Sequence, residues 1–362
     1  MIKTSAPGKL VIAGEWAVLH PGNLAIVTAI DRRANVTLKA NNNLEITIKA
    51  PDYHVEVAAQ IQDNQIIFDT VPEEEKLEFL ISAILTVHSY QPFSTGFTLT
   101  TDSSQCMMEV EKKSIKVGFG SSAAITVAAV AAMLEHNNCK YSKDELFKLS
   151  CLSHFNAQEK VGSCLDIAAA VYGGTFSYSR FDPDWLVEEL TKTSLSDLVK
   201  ADWKDFSHQK LDELKNLKML VAFTGNSADT RELIKSMQDY ESENPKIIKK
   251  IYDKIHKNTQ KLISNWKDNR EKKIVELLNF NQTLLVELSR RTEIKIATPR
   301  LQKIGDIALI HNAAGKLSGA GGGDCGIIFA EEENVSKIRS ELKNQPLHEI
   351  NAAPDANGYL VS

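Results

Sequence analysis

Lys9 heads an apolar run, Leu10 to Ile12, that stops at Gly14 and Glu15. Strand interiors exclude an unpaired ammonium group, so a lysine here needs a partner. It could neutralise a phosphate or lower the pKa of an acidic neighbour. A second segment runs Lys116, Val117, Gly118, Phe119, Gly120, Ser121, Ser122, Ala123, Ala124. Its glycines let the backbone approach an anion, its serines offer hydroxyls, and the helix that follows offers free N–H groups at its positive end. No G-K-[ST] ends the loop, so it is not a Walker A motif. A small-residue helix start packed on a sheet would share its composition. A third segment, Ser318 to Asp324, holds Gly319 and the run Gly321, Gly322, Gly323. It reads as a flexible connection or as backbone drawn close to a ligand. Beside the first loop, it could hold a triphosphate from the opposite side. The fourth segment is Gly162, Ser163, Cys164, Leu165, Asp166, followed by an alanine-rich run. Asp166 there is either a structural helix cap or a working carboxylate.

These residues need elements to position them. The first 50 residues alternate as strands, with Asn41, Asn42 and Asn43 as a hairpin signal. Apolar spacing predicts a helix from Pro72 to Tyr90, then a strand at Phe97. Gly118 to Leu134 reads as a loop entering an alanine-rich helix, followed by a shorter helix around Asp144 to Leu152 and a strand at Gly174 to Tyr178. Punctuation at Asp182, Pro183 and Asp184 suggests a domain boundary. Beyond it, Asn244 and Pro245 open one long amphipathic pattern, with Asn244 as N-cap. A second runs through Ile274 to Leu288, and a third helix opens at Thr298 and Pro299. The strand-like Gly326 to Phe329 follows the last glycine cluster. Mixed strands and helices in both halves place the chain in the α+β or α/β class.

Composition narrows the partners. The chain has 362 residues, enough for two domains. With 43% hydrophobic and 25% charged residues, collagen-like, disulfide-scaffold and disordered classes are excluded. A net charge of −5 argues against a general polyanion binder such as a nucleic-acid protein, though not against one small anionic ligand. The basic stretch Lys246 to Lys273 lies on an amphipathic helix and reads as a solvated face. Five widely spaced cysteines without a C-x-x-C pair suggest a reduced cytoplasmic chain. Pro7 and Gly8 interrupt any signal-like apolar segment. The longest apolar run, Ala123 to Leu134, is too short to span a bilayer, so no membrane partner is expected.

Taken together, Pro7-Gly-Lys9 through Gly14-Glu15, Gly118 through Ala124, and Ser318 through Gly323 resemble the three signature motifs of the GHMP small-molecule kinases, in the family's order. Phe119 departs from the Leu or Met common there. The resemblance is closest to the branch that phosphorylates 5-phosphomevalonate. Gly14 to Gly22 through Arg32, Ala157 to Ser163 through Asp166, Tyr178 to Asp182, and Phe223 to Thr230 carry it. Asn226, Ser227 and Ala228 fall in a part of the last stretch that varies.

The resemblance implies a two-domain α+β fold. Residues 1–182 would form an N-terminal ATP-binding domain with a left-handed βαβ unit like that of certain ribosomal proteins. Residues 183–362 would form a ferredoxin-like C-terminal domain, with the site between the two. It also implies ATP and Mg2+, with Lys9 and Asp166 as catalytic residues flanking the acceptor. Lys116, Gly118, Gly120, Ser121, Ser122, Ala123 and Ala124 would bind ATP. Lys9, Ser163, Asp166, Ser227, Gly321 and Gly322 would bind substrate, and Ser122 and Glu159 would hold the metal. Two dianions need further cations, for which Lys116, Lys160, Arg32, Arg33 and Arg231 are candidates. The runner-up is a kinase of mevalonate or another small alcohol. A catalytically silent ligand sensor is the alternative from another class. The sequence leaves the oligomeric state open.

Overall fold

The computed structural model describes residues 1–63, 65–70, 74–157 and 162–362. Strand β1 (Ile2–Ala13) pairs antiparallel with β2 (Leu24–Ala40) along nearly its whole length. The other edge of β2 is shared: Leu24 to Thr28 pairs with β9 (Thr175–Ser179), and Asn35 to Ala40 pairs with β6 (Phe97–Asp102). Beyond β6 come β3 (Ile46–Ala50), β4 (Val55–Gln62) and β5 (Gln65–Phe68). The asparagine turn at 41–43 is therefore not a two-strand hairpin. β6 inserts between β2 and β3, parallel to β3, because the crossover through α1 (Glu74–Tyr90) returns the chain between them.

A small hairpin, β7 (Met107–Val110) with β8 (Lys113–Lys116), leads into α2 (Ser121–His136). Helix α2 is buried almost all round, from Ala123 to Leu134, which is why its sequence is apolar on every face. It packs on β1 and β2 and against α1, α3 (Lys143–Ala157) and α4 (Leu165–Tyr172). The layer continues through α5 (Pro183–Lys192), α6 (Leu195–Lys200) and β10 (Ser207–Leu211), which pairs with β9. The boundary expected at 182/183 thus falls inside this layer. Asp182 is the N-cap of α5, and Leu186, Leu198, Val199 and Trp203 join the first core.

The chain passes to a second sheet between Leu211 and Leu217. Strand β11 (Leu217–Phe223) is followed by α7 (Thr230–Glu243), α8 (Pro245–Lys267), α9 (Glu271–Thr292) and α10 (Pro299–Ile310). Then come β12 (Ala314–Leu317), β13 (Cys325–Glu331), α11 (Glu332–Lys343) and β14 (His348–Ile350). The order β12-β13-β11-β14, all antiparallel, is that of the ferredoxin-like β-α-β-β-α-β arrangement, with four helices in the first connection. Asn244 precedes α8 as expected but makes no side-chain cap. Its amide donates back to Tyr240 O instead. Two lysines of α8 pair with acids, Lys249 with Asp253 one turn on and Lys254 with Glu287 of α9. The last residues return to the first sheet, where β15 (Leu360–Val361) pairs with β1 and the Asp355 backbone bonds Ala29 and Gly174.

Candidate active site

Motifs distant in sequence meet at Lys9. Its Nζ donates to Gly118 O at 3.1 Å, and its backbone N–H donates to Phe119 O at 2.8 Å. A methyl group added at Gly120 would lie 3.4 Å from both Lys9 Cγ and Asp166 Cβ, and one at Gly319 would lie 3.5 Å from Lys9 Nζ. Lys9, Gly118, Gly120, Asp166 and Gly319 all line one cavity of about 1640 Å³ between the two sheets' layers. That is room for two small ligands side by side.

Two helix N-termini open onto this cavity. Gly120, at φ 74°, is the N-cap of α2 and supplies no capping side chain. Among the described residues nothing bonds the first N–H groups of α2 until Ala124, whose N–H donates to Gly120 O. Cys164, at φ 56°, plays the same part for α4, and Asp166 sits in that helix's first turn with Oδ1 accepting from Ile167 N at 3.0 Å. Amides and helix dipoles of this kind suit the cavity wall to an anion.

Charged side chains complete it. Lys116 is partly buried, and burial pushes its ammonium pKa down, with Cys106 and Asp324 opposing the shift. Asp324 packs so tightly on the phosphate-type loop that a methyl at Gly118 would lie 2.3 Å from its Cγ. Burial pushes this carboxyl up, while bonds from Ala228 N (3.2 Å) and Ser227 and the charges of Lys9 and Lys116 pull it down. Arg231 on α7 reaches Glu78 on α1 at 2.7 Å and lies over the Phe79 ring.

Of the expected site residues, Lys9, Lys116, Gly118, Gly120, Ser122, Ser163, Asp166, Ser227 and Arg231 line the cavity. Others lie elsewhere. The side chains of Ser121, Ala123 and Ala124 are buried within the first layer, because α2 must bury every face, so any contact there is through backbone N–H groups. Gly321 and Gly322 do not reach the cavity wall. Gly321 is pressed against Ile296 O and Gly322 against Leu233, so Gly319 and Asp324 represent the third motif instead. Arg33 pairs with Asp355 and Arg32 with Asn351 O, both tying down the C-terminal segment. Glu159 and Lys160 lie outside the described residues. Asp324, which the sequence reading did not single out, lines the cavity beside Gly118. Its signal was an acidic residue closing a glycine run.

Two α+β units with an anion cradle, a lysine and a carboxylate between them define the class of small-molecule kinases. The family model described as GHMP kinases N terminal domain matches residues 79–174, and that described as GHMP kinases C terminal matches 260–348. The two cover just over half of the chain, which belongs to the GHMP kinase family. It is 28% identical over 364 residues to a phosphomevalonate kinase of Streptomyces sp. (strain CL190), covering 98% of this chain and 97% of that one. It is also 28% identical, over 334 residues, to a mevalonate kinase of Pyrococcus abyssi, covering 90% and 87%. In fold it resembles the Streptococcus pneumoniae phosphomevalonate kinase solved with phosphomevalonate and AMPPNP, with a TM-score of 0.83 at 23% identity over 98% of this chain and 100% of that one.

Proposed function

We propose that this chain transfers the γ-phosphoryl group of ATP to 5-phosphomevalonate, giving 5-diphosphomevalonate and ADP. The observation that carries the reading is the convergence of Lys9, Asp166, the Gly118 loop and Gly319 on one cavity large enough for both ligands. Near-full-length similarity to a phosphomevalonate kinase supports the acceptor.

The ATP phosphates lie on the free N–H groups of α2, between Lys116 and Lys9. The acceptor lies at the α4 N-terminus beside Ser163 and Asp166, with Ser227 on the facing wall. An acceptor phosphate oxygen forms a bond to the γ-phosphorus as its bond to the β,γ-bridging oxygen breaks, and ADP leaves. Such transfers depend on positioning and charge neutralisation. A phosphate monoester has a second pKa of about 6, so the acceptor oxygen is already mostly ionised at neutral pH. Asp166 therefore orients Lys9 and the acceptor rather than removing a proton.

Mg2+ on a nucleotide takes few protein ligands, usually one or two side chains besides the phosphates. Ser122, with its residue on the cavity wall at the head of α2, fits that requirement. When bound, the ion neutralises charge on the β- and γ-phosphates. Among the described residues no helix is long and apolar enough to cross a membrane, in keeping with small water-soluble ligands. The test is ADP release with 5-phosphomevalonate and with mevalonate in parallel. Turnover with 5-phosphomevalonate and little with mevalonate is the expected result; the reverse preference would replace the acceptor, and tight binding without turnover would revive the sensor.

A further inference from the structure

Strand β9 ends on two buried polar side chains that brace the cavity wall from behind. Tyr178 is wholly buried, and its phenol O–H donates to Ser163 O, in the turn that leads into α4. Arg180 comes two positions later, where an extended chain returns its side chain to the same face. Its Nη1 donates to Leu19 O at 2.7 Å. Ser163 and Leu19 both line the cavity, so the guanidinium stands behind the wall that these two residues form. Burial holds the Tyr178 phenol well above its ordinary range, and the nearby charge of Arg180 opposes that shift. Phosphoryl transfer as described above uses neither side chain.

The charge of Arg180 is unbalanced. The residue is 6% exposed, and among the described residues no carboxylate forms an ion pair with it. Its Nε is buried with no hydrogen-bond partner among them. The two acids that follow in sequence are committed elsewhere. Asp182 caps α5 and pairs with Lys204, and Asp184 is exposed on the first turn of α5. Lys316 and Arg33, by contrast, are each held by a carboxylate. A guanidinium stays charged at any ordinary pH, and a buried charge without a counter-charge is costly. A poorly screened interior also carries its attraction for an anion across several ångströms.

We propose that Arg180 is a specificity-determining residue, a buried cation behind the Ser163 and Leu19 wall whose counter-charge is the phosphate of the acceptor. An acceptor bearing a phosphate dianion at the α4 end of the cavity balances the guanidinium, whereas an alcohol in the same place leaves it unpaired. Mevalonate and 5-phosphomevalonate both carry a carboxylate and differ in the phosphate, so the charge of Arg180 separates the two where Asp166 does not. Its bond to Leu19 O fixes the guanidinium in place before the ligand arrives, so no reorganisation is needed on binding. This role rests on the phosphorylated acceptor proposed above.

The full chain is assayed for ADP release with 5-phosphomevalonate, and mevalonate is titrated in as a competing ligand. Arg180→Gln can still donate to Leu19 O but carries no charge. Its KM for 5-phosphomevalonate is expected to rise about tenfold or more, while the inhibition constant of mevalonate and the KM for ATP stay within about twofold of wild type. Arg180→Lys restores the charge and is expected to bring the acceptor KM back to within about threefold. Arg180→Met serves the same comparison where Arg180→Gln does not fold, since it leaves no buried polar group unpaired. A neutral variant that weakens both acceptors equally makes Arg180 a clamp on Leu19 and overturns the proposal. So does a lysine variant as poor as the neutral one, or a neutral variant with an unchanged acceptor KM. A wild-type chain that phosphorylates mevalonate and not 5-phosphomevalonate overturns the acceptor and this role together; one that uses 5-phosphomevalonate while its variants fail these tests overturns this role alone.

Discussion

Gly118 shows how a residue identity is forced by what surrounds it. Its φ of 77° disfavours any side chain, and a Cβ there would stand 2.3 Å from Asp324 Cγ. Gly118→Ala must push Asp324 off its bonds to Ala228 and Ser227 and reshape the cradle. We expect the KM for ATP to rise about tenfold or more while the acceptor KM changes less, read from initial rates. For Asp166, the orienting role predicts that Asp166→Asn loses about as much kcat as Lys9→Ala, while the acidic limb of the pH–rate profile stays where it is in the wild type. An acidic limb that vanishes in the variant would make Asp166 a proton acceptor instead. The spacing of glycines, serines and lysine made most of these residues legible in the sequence. Gly321 and Gly322 do not line the cavity; glycines packed against their own fold look the same in sequence as glycines packed against a ligand.

At the scale of elements, the amphipathic and capped segments were the easiest to read. Helices α1, α2, α8, α9 and α10 fall close to where spacing and caps place them, and Thr298 does accept from Leu301 N. The same local logic misled at Asp182. Its carboxylate accepts from Asp184 N and Trp185 N and pairs with Lys204 at 2.7 Å, a helix start that resembles a domain break. Asp182→Ala should cost about 1 kcal/mol of stability at neutral pH, measured by urea unfolding. The bonds from Lys204 and the α5 backbone hold this carboxyl below its ordinary value of 3.8. Its stabilisation is therefore fully present above 3.8 and is lost as pH falls through the lower folded value. The gap between wild type and variant should close in strongly acid solution. Persistence of the full gap there would show that packing, not charge, holds the cap. The turn at 41–43 misled for a different reason: local turn chemistry does not specify which strand lies alongside.

Across the whole molecule, the two layers are joined at depth by an ion pair. Lys316 of β12 donates to Glu15, which follows β1, and Glu15 also accepts from Asn281 Nδ2 of α9 at 3.0 Å. Both charged side chains are 1% exposed, so burial pushes the Lys316 ammonium pKa down and Glu15 opposes it. Lys316→Met strands a buried carboxylate and should cost about 3–5 kcal/mol. Adding Glu15→Gln should recover a large part of that loss, as a double-mutant cycle by denaturant unfolding would report. No recovery would mean that Lys316 acts through packing alone. The sequence by itself determined the anion cradle, the family resemblance and most helices, because each depends on residues close together along the chain. Only the tertiary structure decided that Asp324 sits beneath Gly118, that Lys316 reaches Glu15, and that β10 and β15 belong to the first sheet. Those contacts join residues brought together by burial and sheet order, and local spacing carries no record of them.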